Sequence, residues 1–125
     1  MRLEVRDFHS ADIQEVWRWN PPSPDAVYFQ LEIEIGEEGK AGGHLFQLVA
    51  ATPEGLLAIG RRYPARGFPD RALLVFSEYR WEALVERVER IVTRCTRSTW
   101  DESVLCLQRY FEWEYEDYEL HRGNS

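Results

Sequence analysis

The carboxylates are the residues whose spacing could do chemistry. Glu32 and Glu34 stand two apart in an alternating run, and Glu114 and Glu116 do the same near the end of the chain. On a strand, an i,i+2 pair points to one face with its side chains about 7 Å apart. A glycoside hydrolase holds two carboxyl groups roughly 5–9 Å apart across a cleft, so the spacing permits a small carboxylate-dependent hydrolase. Any solvated strand face of an acidic protein gives the same spacing. Only a cleft with a raised carboxyl pKa separates the two cases, and the solvated face is the expectation here.

Other chemistries find less support. His9, His44 and His121 fall in a turn, at a strand start and in a tail, with no metal-ligand spacing, so no metal site is expected. Gly36-Glu37-Glu38-Gly39 would aim carboxylates at an anion, the wrong sign for a phosphate cradle. No serine sits in a nucleophile elbow. Cys95 and Cys106 lie at apolar helical positions and read as buried reduced thiols. Neither a catalytic residue nor a cofactor is expected.

The stretch from Glu112 to Glu119 invites a different reading. Five of its eight residues are acidic, and the others are Trp113, Tyr115 and Tyr118. Trp and Tyr dominate binding hot spots, but they also pack edge strands against helices, and both readings stay open for Trp113 and Tyr118. The carboxylates are expected to face outward.

Charge narrows the partners. The formal net charge is −7 over 125 residues, which argues against the cationic footprint that nucleic-acid binding needs. Residues 1–60 hold 4 basic and 10 acidic groups, residues 61–99 hold 9 and 5, and residues 100–125 hold 2 and 7. Acidic flanks speed encounter with basic partners. No apolar run reaches the ~18 residues of a membrane span. The N-terminus, Met1-Arg2-Leu3-Glu4-Val5-Arg6, has no apolar leader core, so a cytoplasmic protein without membrane partners is expected.

These groups must be positioned by a modest set of elements. Leu3 to Phe8 alternates as a first strand, with Leu3 and Val5 inward. Asp12–Trp19 is ambiguous between one helical turn and coil, and Asn20-Pro21-Pro22-Ser23-Pro24-Asp25 is a loop. From Val27 to Ile35 the apolar residues Val27, Phe29, Leu31, Ile33 and Ile35 share one face, and Tyr28, Gln30, Glu32 and Glu34 share the other. A hairpin loop follows at residues 36–43, its four glycines able to take positive φ. His44–Ala51 returns as the partner strand. Thr52 and Pro53 begin a short helix that Gly60 is expected to end. Arg61 to Pro69 reads as a basic loop, and Ala72–Phe76, apolar on both faces, as an inner strand.

Trp81, Leu84, Val85, Val88, Ile91, Val92 and Cys95 form the stripe of a helix over about residues 80–94. Thr99-Trp100-Asp101-Glu102 fits a capping box for a second helix striped by Trp100, Val104, Leu107 and Phe111. Beyond it, Trp113 and Tyr115 alternate with carboxylates as a short edge strand. The expected fold is α+β: an antiparallel sheet of four to five strands with two amphipathic helices packed on one face, in a single domain over residues 1–125.

Phe29–Gly36, the run from Phe46 through Thr52-Pro53, Leu73–Phe76, Thr99-Trp100-Asp101-Glu102, Leu107, Arg109-Tyr110 and Trp113–Tyr118 together resemble a family. It is the immunity protein 8 family of bacterial polymorphic-toxin systems, and the last run is the most specific part. The resemblance implies a cytosolic protein that binds a cognate toxin domain and blocks it, protecting the producing cell. Joined to the charge pattern, it directs attention to Glu32, Glu34, Glu37, Glu38, Glu112, Glu114, Glu116, Asp117 and Tyr118 as the toxin-binding group. The partner would carry a basic active-site surface, and this chain would be a monomer or weak homodimer. A homo-oligomeric adaptor module pairing through its aromatic edge is the other non-enzymatic alternative.

Overall fold

In a computed structural model, which describes residues 1–64 and 72–114, the central strand is Tyr28–Glu37. Its alternation is what the sequence leads one to expect: Phe29, Leu31, Ile33 and Ile35 are buried, while Gln30 is exposed and Tyr28, Glu32 and Glu34 are partly exposed. In chain order the elements are β1 (Leu3–His9), a 3₁₀ turn (Val16–Arg18), β2 (Tyr28–Glu37), β3 (His44–Ala51) and α1 (Pro53–Arg62). There follow β4 (Leu73–Val75), α2 (Trp81–Cys95), α3 (Trp100–Leu107) and β5 (Glu112–Trp113). The class is α+β, with a five-stranded sheet ordered β1-β2-β3-β4 and β5 also pairing with β3.

β1–β2, β2–β3 and β3–β5 are antiparallel, whereas β3–β4 is parallel. The parallel pair follows from α1, which carries the chain back before β4 starts. β4 therefore departs from the expected inner strand. It is a short lateral strand with Leu74 buried and Val75 40% exposed. Arg87 of α2 ties it down by donating to the Val75 carbonyl at 3.2 Å and lying 5.0 Å from the Phe76 ring centroid.

α2 and α3 pack on one face of the sheet. Leu84, Val88, Ile91 and Val92 of α2 and Val104 and Leu107 of α3 join Phe29, Leu31, Ile33, Ile35, Phe46 and Leu48 in one apolar cluster. Phe111 is fully buried against Phe46, but it lies beyond α3, which ends at Leu107 rather than running on to Phe111. Thr99 caps α3 by accepting from the Glu102 amide at 3.2 Å. At α1, Thr52 caps as expected, accepting from the Gly55 amide at 3.2 Å. That helix continues past Gly60 to Arg62.

Two further expectations change. Cys95 and Cys106 are joined as a disulfide between α2 and α3, with Cα atoms 5.2 Å apart, rather than lying as separate thiols. Of the hairpin glycines only Gly39 and Gly42 have positive φ. Gly36 serves a different need. A Cβ there would come 2.6 Å from the Arg6 guanidinium carbon and from the Gly42 carbonyl. Among the described residues, no helix is long and apolar enough to cross a membrane.

Candidate functional site

The sheet face turned away from α2 and α3 is built by strand parity. On β2 it carries Tyr28, Gln30, Glu32 and Glu34. Register extends each position sideways. Glu32 stands between His9 of β1 and Gln47 of β3, and Gln47 in turn faces Glu112 of β5. Glu34 stands between Asp7 of β1 and Leu45 of β3. Glu114 follows beside Leu45, its amide donating to the Leu45 carbonyl at 3.1 Å. Side chains directly opposite across a strand pair lie about 5 Å apart. The result is two transverse rows, Asp7–Glu34–Leu45 and His9–Glu32–Gln47–Glu112, and every side chain in them is at least partly exposed.

Sequence reading alone misses Asp7. Simple alternation from Leu3 and Val5 would turn it inward. A register shift between Val5 and Asp7 inserts Arg6 as an extra residue, so Phe8 goes to the core against Trp81 and Asp7 goes to the open face. The arrangement puts Asp7 directly opposite Glu34, a like-charge pair of the kind that weakens a sheet. Among the described residues, neither Glu32 nor Glu34 has an ion pair with a basic side chain.

The remaining expected residues separate from this face. Glu37 lies at the hairpin end, largely buried, with its carboxylate 2.8 Å from Lys40 Nζ. Glu38 pairs with Arg2 at 3.5 Å on the outside of the loop. Glu114 serves the fold. Its carboxylate accepts from the Leu45 amide at 3.1 Å and lies 3.7 Å from His44 Nδ1, closing the end of the β3–β5 pairing. Trp113 is partly buried against the core, which leaves Glu112 on the open side. Tyr115, Glu116, Asp117 and Tyr118 lie outside the described residues, as does most of the basic loop after Pro64.

The three described cavities are walled by the hairpin with Trp100, by the outer side of α2, and by β1 with α2. Neither Glu32 nor Glu34 lines any of them, so the pair stands outside the described clefts, partly exposed on the sheet face.

A sequence model of the family Immunity protein 8 matches residues 3–118. The chain belongs to that family. Membership makes it an immunity protein of a toxin system. No curated protein and no solved structure matches the chain significantly. The matched span contains every strand and helix described above, and so the open face of this immunity protein as well.

Proposed function

We propose that this immunity protein binds its cognate toxin domain as a stoichiometric partner and blocks it, without catalysing a reaction. The observation that carries the reading is the pair of carboxylates Glu32 and Glu34 on the sheet face turned away from the helices, without a basic partner among the described residues and with Asp7 opposite Glu34. A cationic surface of the toxin supplies what this face lacks. Gln30, Gln47, Tyr28 and Leu45 around the carboxylates offer hydrogen bonds and apolar contact to the same partner. Glu112 extends the acidic surface. Glu37, Glu38, Glu114, Glu116, Asp117 and Tyr118 are proposed as further toxin contacts on the grounds of sequence and charge.

Residues 1–125 act as one domain in this reading, in the cytoplasm, as a monomer or weak homodimer.

Co-expression with the toxin domain tests the proposal. The immunity protein restores growth, and the purified pair forms an equimolar complex. Glu32→Lys with Glu34→Lys slows association by about tenfold or more at low salt, and added salt narrows the difference. Failure to protect against any toxin domain encoded beside it removes the functional reading. Protection with an association rate indifferent to salt and to both substitutions removes the electrostatic part alone.

A further inference from the structure

We infer that Cys95 and Cys106 are a reversible redox pair, in which Cys106 is the thiol that reacts with a hydroperoxide and Cys95 is the resolving thiol. The inference stands apart from the toxin reading. The pair joins the end of α2 to α3, with Cα atoms 5.2 Å apart. At that separation a bridge closes and opens without either helix having to move far.

The two sulfurs have unequal surroundings. Cys95 is fully buried, whereas Cys106 keeps 8% of its surface open. Arg97 adds a charge to one of them: its guanidinium donates to Cys106 Sγ at 3.5 Å. The same guanidinium is anchored on the Arg94 carbonyl at 2.5 Å and the Thr96 carbonyl at 3.3 Å. The Arg97 amide donates to the buried Ser103 hydroxyl at 2.9 Å, and Ser103 lies one turn before Cys106 on the same face of α3. Among the described residues, no carboxylate forms an ion pair with Arg97. A cation held at a sulfur favours the thiolate, which is the nucleophile. A thiol with some exposure, a cation beside it and a second thiol in reach has the make-up of a redox sensor.

The chemistry then runs in two steps. The Cys106 thiolate attacks one oxygen of hydrogen peroxide; the O–O bond breaks, and hydroxide leaves and takes up a proton as water. Cys106 becomes a sulfenic acid. Cys95 gives up its proton and attacks that sulfur; the S–O bond breaks, a second water leaves, and the disulfide forms. Two thiols are oxidised and one peroxide is reduced to two waters. A small dithiol reverses the change by exchange and becomes a disulfide itself. Closure ties the end of α2 to the end of α3, just upstream of Phe111 and β5, so oxidant tightens the segment that leads Glu112 to the sheet.

The full chain, reduced with dithiothreitol and freed of it, tests the assignment by mass spectrometry. Equimolar hydrogen peroxide removes two hydrogens per chain, and dithiothreitol restores them. Brief alkylation of the reduced wild type with limiting iodoacetamide labels Cys106 ahead of Cys95. Cys95→Ser accumulates a sulfenic acid at Cys106 that dimedone traps. Arg97→Gln slows peroxide oxidation severalfold, and Arg97→Lys, which keeps the charge, restores much of the rate. Thiols that ignore peroxide, first labelling at Cys95, bridging between chains, or an Arg97→Gln rate equal to wild type overturns the proposal. Hydrogen exchange reads the consequence for the fold. The Glu114 amide, which donates to the Leu45 carbonyl, exchanges more slowly in the oxidised chain than in the reduced one. Equal exchange overturns the link from the redox pair to β5.

Discussion

Thr52 shows how much one side chain can hold. It is fully buried, donates to the Asp25 carbonyl at 2.6 Å, and accepts from the Val27 and Gly55 amides at 2.9 and 3.2 Å. A hydroxyl has one donor and two acceptor sites, and all three are used. Thr52→Val keeps the shape but leaves two buried donors and one acceptor without this partner. The expected loss is at least about 2 kcal/mol by denaturant unfolding, and Thr52→Ser recovers most of it. Three residues on, a Cβ at Gly55 would lie 1.9 Å from the Val27 carbonyl oxygen, so only glycine lets α1 start this close to β2. Tyr79 makes the opposite case. Its hydroxyl is buried with no hydrogen bond among the described residues, and the ring packs edge-on against Trp19 and Phe29, at interplanar angles of 73° and 62°. Burial, and secondarily the Glu82 charge, push its pKa from 10.0 up to about 12. The folded state then holds the phenolic proton more tightly than the unfolded state. The stability linked to that proton is complete below pH 10 and lost between about pH 10 and 12. Tyr79→Phe keeps the rings, removes an unsatisfied hydroxyl and so costs less than about 1 kcal/mol at neutral pH. It also loses less stability than wild type across the alkaline window. A steeper alkaline loss in the variant would contradict this account.

At the scale of elements, β2, β3, α2 and the start of α3 were legible because each carries a full period of its own signal. Phe29 to Ile35 alternates, Trp81 to Cys95 repeats at helical steps, and Thr99 and Thr52 cap where capping residues should stand. What stayed hidden depends on contacts between distant residues. The β1 bulge is set by Arg6 crossing Gly36 to reach the hairpin loop, a packing event that neither segment announces alone. The parallel placement of β4 depends on where α1 delivers the chain. The cysteine pair depends on α2 and α3 bringing two Cα atoms to 5.2 Å, inside the range a disulfide spans. On the chain-entropy account, closing this loop is worth about 3 kcal/mol. Reduction should therefore lower the unfolding free energy by roughly 2–3 kcal/mol with little change in far-UV circular dichroism. Cys95→Ser with Cys106→Ser should abolish the effect of reductant. Identical unfolding curves with and without reductant would show that the bridge does not contribute. The open face was half legible for the same reason. Glu32 and Glu34 could be placed by parity, whereas Asp7 joins them only through the bulge.

For the molecule as a whole, the distribution of charge sets stability and binding against each other. The chain carries a formal net charge of −7 and places Asp7 opposite Glu34, with no ion pair to a base for either among the described residues. A face selected only for folding would not keep that pair, since like charges directly opposite across strands destabilise a sheet by up to roughly 1 kcal/mol. If the pair is retained to receive a cationic partner, removing one charge must move two quantities in opposite directions. Glu34→Gln relieves the repulsion, so the free protein gains a few tenths of a kcal/mol, up to about 1. The same change removes an attraction to the toxin, so association slows and affinity falls. Salt should imitate the substitution. Screening over about 8–10 Å weakens both the internal repulsion and the intermolecular attraction. The wild-type free protein therefore becomes more stable as salt rises while its complex weakens, and Glu34→Gln responds less to salt on both counts. Denaturant unfolding of the free protein and association kinetics with the toxin domain, each measured across a salt series, read the two signs separately. If Glu34→Gln lowers stability and affinity together, Glu34 is a structural residue of the sheet and the carboxylate rows are not held in reserve for a partner.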